Sequence, residues 1–204
     1  MGLYARYVWP RILDFVMSDK TVAKERSKVI PAAKDTVLEV GIGSGLNLPF
    51  YRAEVKQLYG VDPSAGLLEM ARERARQVPF PVELREHSAE RLPFADESMD
   101  TVVVTWALCS IPEPERALRE MKRVLKREGQ LLFVEHGRSA DAGVERWQNR
   151  LNPIWRRVSG GCNMNRKIDE LVTGAGFKLA ELQTMYLPGP RLMTYTYRGV
   201  GLAS

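Results

Sequence analysis

The chain has 204 residues, enough for one α/β domain with a sizeable core and a small appendage. A hydrophobic fraction of 45% and a charged fraction of 27% belong to a folded domain and exclude a disordered chain. The 30 basic and 25 acidic residues leave a net charge of +5 but are interspersed, so nucleic acid is not an expected partner, and two cysteines are too few for a disulfide framework.

No apolar run approaches the roughly 18 residues needed to cross a bilayer. The start of the chain also lacks a signal-peptide core, so a cytoplasmic protein is expected. Residues 1–35 read as an N-terminal helical cap. Tyr4, Val8, Ile12, Phe15 and Val16 recur at helical spacing, interrupted near Pro10, with Arg6, Arg11, Lys20, Lys24, Arg26 and Lys28 among the polar positions. The plain expectation is a cap packed on the domain. Trp9 and the basic residues also suit a helix lying peripherally on an anionic membrane surface.

The stretch Thr36–Gly45, TVLEVGIGSG, is the first strong motif. Val37, Leu38 and Val40 form the apolar run of a buried parallel strand. Gly41, Gly43 and Gly45 then supply a turn whose backbone can approach a ligand closely, before a helix with free N–H groups. A second run, Leu58–Val61, ends in Asp62, 23 residues after Glu39. An acidic group about 20 residues beyond a glycine turn is placed to accept hydrogen bonds from ribose hydroxyls. Nucleoside binding follows. A dinucleotide fingerprint would need glycine at position 46, where this chain has Leu46, so a nicotinamide cofactor is disfavoured.

In chain order, Pro63-Ser64 opens a helix to about Gln77, stopped by Pro79 and Pro81, and Val82–His87 is a third strand. Asp100–Thr105 is the fourth strand, and Trp106 to Cys109 follow at its C-terminal end, where open α/β sheets bind ligands. A helix introduced by Pro112 and Pro114 is expected to close at Gly129, with a fifth strand at Gln130–Glu135 ending in Glu135-His136-Gly137. Residues 141–165 read as a helical insertion in which Pro153 should break or kink the helix, and Trp147 and Trp155 suggest a lid over an apolar substrate. Gly160-Gly161-Cys162-Asn163 is a corner, and Ile168, Leu171 and Val172 mark a further helix. Phe177–Tyr186 and Met193–Val200 read as two sequential paired strands.

Through E-x-G-x-G-x-G with Asp62, and through ERLPFADESMDTVVVTWALCS, REMKRVLKREGQLLFVEH and GGCNMNR, residues 36–200 resemble the class I S-adenosylmethionine-dependent methyltransferases. Within them the chain resembles the methyltransferase type 11 group. Leu108-Cys109-Ser110, Glu135-His136 and Gly161-Cys162-Asn163 carry a closer resemblance to the alkyl thiol S-methyltransferases. The resemblance implies a Rossmann-like α/β fold over residues 36–204: a seven-stranded, mostly parallel sheet with an antiparallel edge strand and helices on both faces. It implies S-adenosyl-L-methionine as cofactor, an N-terminal helix covering it, and adenine contacts from Ser88, Ala89 and Glu90. Two departures stand out. Ile42 replaces the usual cysteine or alanine, and the N-terminus is more basic than the membrane anchor of the animal thiol enzymes.

The expected cofactor-binding set is therefore Glu39, Gly41, Gly43, Gly45, Asp62, Pro63, Ser88, Ala89, Glu90 and Thr105. Trp106, Cys109, Trp147 and Cys162 are expected around the acceptor. His136, at the end of the fifth strand, is the candidate to orient the acceptor or take its proton, because an imidazole titrates near neutral pH. His87 reads as structural. Neither cysteine needs to be a nucleophile, and no metal-ligand cluster is legible in the sequence. The favoured acceptor is a small thiol or sulfide. The alternatives are a lipid acceptor, either a phosphatidylethanolamine-type amine or a quinone ring, and a non-catalytic protein that only binds the cofactor.

Overall fold

The computed structural model describes residues 8–203. Tyr4 and Arg6 of the N-terminal stripe lie outside the described residues. Two helices, α1 (Trp9–Met17) and α2 (Lys20–Val29), precede β1 (Asp35–Val40). The domain continues through β2 (Val55–Asp62), α3 (Ala65–Ala75), β3 (Val82–Glu86), β4 (Met99–Thr105), α4 (Pro114–Val124) and β5 (Leu125–His136). It ends with α5 (Ala142–Val158), α6 (Ile168–Gly174), β6 (Lys178–Tyr186), α7 (Arg191–Thr194) and β7 (Tyr195–Leu202).

The seven strands form one sheet in the order β3-β2-β1-β4-β5-β7-β6. The first five in that order are parallel, and β7, antiparallel to both neighbours, is inserted between β5 and β6 at one side of the sheet. Strand order reverses between β1 and β4, and a ligand crevice opens beyond the carboxyl ends of strands at such a point. The glycine turn and Trp106 to Cys109 therefore flank one crevice.

Side chains alternate across the strands, so each strand feeds two apolar layers. Leu38, Val40, Val102, Val104, Leu131 and Phe133 pack with Leu118 and Met121 of α4 and Val172 of α6. Val37, Val103, Leu132 and Val134 pack on the opposite face with Ile30 and with Leu68 of α3. Ser64 caps α3 by accepting from Leu67 N, and Asp141 caps α5 by accepting from Gly143 N.

Three expectations change. Gly129 does not end α4. The helix stops at Val124 and the chain enters β5 at once, with a register shift between the pairs Met99–Leu125 and Thr101–Gln130. Gly129 is needed there because a Cβ would lie 2.8 Å from Lys126 O and 3.2 Å from Asp100 O. Pro153 does not break α5, which continues to Val158. Pro153 and Asn149 are both exposed, so the carbonyl that loses its N–H partner can be served by water. Finally, of the two tryptophans expected in a lid, only Trp155 reaches the cavity, and Trp147 is exposed.

Candidate active site

A cavity of about 740 Å³ runs along the carboxyl ends of the strands, walled by the glycine turn, α1, the loops after β2, β3, β4 and β5, and the end of α5. That volume suits a nucleotide-sized ligand together with a small partner.

Gly41 and Gly43 stand at its floor with φ of +71° and +56°. A Cβ on Gly41 would approach Ala107 Cβ to 2.4 Å, so only glycine lets the turn pass under the loop after β4. Gly45 is not on the cavity wall. A Cβ there would lie 2.9 Å from Leu48 Cδ1 and 3.2 Å from Ala71 Cα, so Gly45 serves the packing of α3 against the turn. Ile42 fills the space over Gly60, where a Cβ would sit 2.5 Å from Ile42 Cδ1.

Asp62 ends β2 on the cavity wall, beside Pro63. Gly43 N donates to its Oδ2 at 3.0 Å and Ser64 N to its Oδ1 at 2.8 Å. These bonds fix the carboxylate while leaving each oxygen a further lone pair for a ligand hydroxyl. Burial raises its pKa against those two bonds.

Glu39 borders the cavity but is 1% exposed, and its oxygens are held by the chain itself. Asn47 Nδ2 donates to Oε1 at 2.8 Å and Tyr51 OH to Oε2 at 2.7 Å. Asn47 Nδ2 also reaches Thr105 Oγ1 at 2.9 Å, and Arg26 Nε donates to Asn47 Oδ1 at 2.9 Å. Burial pushes the Glu39 pKa up to about 7. Glu39 thus orders Asn47, which in turn holds Thr105 Oγ1, and the Thr105 hydroxyl keeps its own proton to donate at the cavity wall. Asn47, Tyr51 and Arg26 were not identified from the sequence.

Ser88, Ala89 and Glu90 all border the cavity, as does His87, read from sequence as structural. Ser88 Oγ donates to Glu90 Oε2 at 2.6 Å, and Glu113 N donates to Glu90 Oε1 at 2.9 Å. The Glu90 carboxylate, its pKa lowered chiefly by Ser88, therefore ties this loop to the start of α4.

Helix α1 lies over the cavity, contributing Trp9, Ile12, Leu13, Asp14, Val16 and Met17. Asp14 pins it to the glycine turn: Ser44 Oγ donates to Asp14 Oδ1 at 2.6 Å, and Arg74 pairs with the same carboxylate at 3.0 Å. The outer side of α1 stays open, with Phe15 82% exposed. Ile154 and Val158 of α5 are also largely exposed. No helix among the described residues is long and apolar enough to cross a membrane.

The far end of the cavity is sulfur-rich. Trp106, with a φ of +49°, turns the chain after β4 so that Cys109 reaches the wall. His136 ends β5, and its Nε2 lies 3.1 Å from Cys162 Sγ. Cys162 is pushed up to about 12, first by its contact with Cys109 and then by burial, so without further help it is a neutral thiol and a poor nucleophile. Buried His136 Nδ1, Glu135 Oε2 and Trp155 Nε1 have no hydrogen-bond partner among the described residues.

Trp155 borders the cavity, whereas Trp147 is 54% exposed and carries the Arg150 guanidinium 5.5 Å from its ring centroid. Trp147 is therefore removed from the expected acceptor set. The two are eight positions apart, which leaves about 80° between them around a helix of 3.6 residues per turn.

Glu135, fully buried beneath His136, accepts from Ala107 N at 2.8 Å and Leu108 N at 3.0 Å through Oε1. Burial raises its pKa from 4.5 to about 7. The folded state therefore holds this proton where the unfolded chain has released it, and the contribution to stability is present below pH 4.5 and lost as pH rises to about 7. Glu135→Gln keeps an acceptor for both amides. Its melting temperature is expected to vary less with pH than the wild type's across that window, read by thermal denaturation; parallel curves would show that Glu135 does not titrate there.

Residues 38–133 match a family model described as a methyltransferase domain. The chain is 34% identical over 160 residues to thiol S-methyltransferase TMT1B of Rattus norvegicus, covering 76% of this chain and 64% of that protein. It is 44% identical over 102 residues to phosphatidylethanolamine N-methyltransferase of Cereibacter sphaeroides, covering 49% of this chain and 50% of that protein. The chain thus spans between half and two thirds of the lengths of these relatives. A solved SAM-dependent methyltransferase of Thermotoga maritima has the same fold, with a TM-score of 0.69 at 23% identity over 98% of both chains. The glycine turn, Asp62 and the reversal of strand order all fall within residues 38–133, so the chain carries a methyltransferase domain.

Proposed function

We propose that the protein transfers the methyl group of S-adenosylmethionine to a small apolar thiol or sulfide. The observation that carries this reading is the wall formed by Cys109, His136 and Cys162, which shares one cavity with the glycine turn and Asp62. The similarity to a thiol S-methyltransferase supports it.

The residues fit the cofactor. Gly41 and Gly43 leave a cradle that a Cβ on Gly41 would fill, Asp62 keeps acceptor capacity toward ribose hydroxyls, and Ser88 to Glu90 line the same cavity, where they would meet the adenine. Thr105 and Asn47 line the same cavity and would hold the methionyl portion. The bound cofactor supplies an electrophilic methyl on a sulfonium. The chain's task is then alignment, because an in-line displacement gains mostly from holding nucleophile and methyl carbon in register. Trp9, Leu13 and Trp155 exclude water, and α1 covers the site, tied down by Asp14. His136 receives or orients the acceptor proton.

A second reading, a lipid acceptor met at a membrane surface, is favoured by the exposed Ile12, Val16 and Val158 on the cavity wall and by the exposed Phe15 and Ile154 on the same two helices. A methylation panel decides between them. With alkanethiol, sulfide and vesicles of phosphatidylethanolamine mixed with anionic lipid, turnover on the first two and none on vesicles is expected. Methylated phosphatidylethanolamine with unmodified thiol would replace the thiol reading by the lipid one.

A further inference from the structure

We propose that Cys109, His136 and Cys162 form a three-donor site for a zinc ion whose fourth position opens into the cavity and takes the acceptor sulfur. The identity of that fourth ligand rests on the thiol reading above; the metal site itself does not.

One ligand atom from each of the three residues lies within 4.8 Å of the others. Tetrahedral zinc with bonds of about 2.0–2.3 Å places its donors about 3.5–3.8 Å apart, so small side-chain shifts close this triangle on an ion. Two thiols and an imidazole are the borderline-soft set that selects zinc, and three protein ligands with one open position are the catalytic rather than the structural arrangement. The open side faces the same cavity as the glycine turn.

The site is built as well as close. Asn163, next to Cys162, clasps the Cys109 loop: its N and its Nδ2 donate to Cys109 O at 2.8 and 3.0 Å. Asn152 of α5 holds Asn163 in turn, donating to its Oδ1 at 3.1 Å while accepting from Met164 N at 2.9 Å. Arg166 donates to Leu108 O and, at 2.7 Å, to Ile111 O, fastening the other side of the same loop. Gly160 and Gly161, with φ of +68° and +97°, turn the corner that brings Cys162 back to His136. The unpaired His136 Nδ1 and Glu135 Oε2 lie buried behind this wall. Three separated segments are thus fastened so that three donor atoms converge.

In the reaction, His136 then acts as a ligand that fixes the ion and not as the proton acceptor: a thiol that coordinates the ion gives its proton to water and remains as a bound thiolate at neutral pH. Its sulfur forms the new bond to the methyl carbon, the sulfonium carbon–sulfur bond breaks with its pair staying on the cofactor, and the neutral thioether leaves. Zinc does not change oxidation state.

The test uses the full chain stripped with a chelator and titrated with cobalt(II) as the spectroscopic probe. One equivalent should give tetrahedral ligand-field bands and a thiolate-to-cobalt charge-transfer band, weakened in Cys109→Ser and again in Cys162→Ser. Adding alkanethiol without cofactor should shift the bands. Zinc should restore thiol turnover about 10-fold or more over the stripped enzyme, while S-adenosylhomocysteine binding, measured in parallel, stays unchanged. A stripped protein that binds S-adenosylhomocysteine yet takes up no tetrahedral cobalt would overturn the metal site. A stripped enzyme that methylates thiols as fast as the zinc-loaded one would overturn its role and leave the proposed function standing. Tetrahedral cobalt that ignores thiol, in a protein that methylates none, would overturn the fourth ligand and the thiol reading together.

Discussion

Replacing Asp62 by alanine is expected to weaken S-adenosylmethionine binding by about 1–3 kcal/mol, the cost of hydrogen bonds to ribose hydroxyls from a buried carboxylate. The same change strips the partners of Gly43 N and Ser64 N, so part of the loss would come from the turn itself. Asp62→Asn separates the two effects, because it keeps one oxygen at the end of β2. Calorimetric titration of both variants should show a smaller loss for asparagine than for alanine, with folding intact by circular dichroism. Unchanged affinity in the alanine variant would remove Asp62 from the binding set.

His136→Ala should act on the opposite end of the cavity. Turnover with a thiol acceptor is expected to fall by about 10²-fold or more, with cofactor affinity close to that of the wild type. The contrast follows from position: His136 touches Cys162, while the carboxylate of Asp62 is held by the glycine turn and Ser64. Turnover equal to that of the wild type would make His136 a packing residue. A parallel loss of cofactor affinity would mean that the two ends of the cavity are not independent.

Much of this is legible in the sequence alone. Val37, Leu38 and Val40, broken only by Glu39, and Val102 to Val104 are apolar runs because a parallel sheet covered on both faces buries both sides of its strands. Gly41, Gly43 and Asp62 were legible because a tight turn and a terminal carboxylate are set by local chain geometry. Gly45 fitted the same pattern, and only the position of Ala71 shows that it serves helix packing.

What stayed hidden depends on distant partners. Glu39 looked like a ligand group, but Asn47, Tyr51 and, through Asn47, Arg26 take up its environment, and no local pattern ties an arginine in α2 to an asparagine in the glycine turn. Trp147 and Trp155 were indistinguishable until the docking of α5 chose which side met the cavity. Cys109, His136 and Cys162 come from three separate segments, a loop, a strand end and a corner, so no short-range spacing marks a metal site; their convergence belongs to the topology of β4, β5 and the corner after α5.

The crevice at the reversal of strand order is where S-adenosylmethionine is expected to bind. Calorimetric titration of the purified protein with S-adenosylmethionine, S-adenosylhomocysteine and NAD tests it most directly. Saturable binding of the first two at one site per chain, with none for NAD, is the predicted result. A folded protein that binds neither S-adenosylmethionine nor S-adenosylhomocysteine, or that prefers NAD, would contradict it.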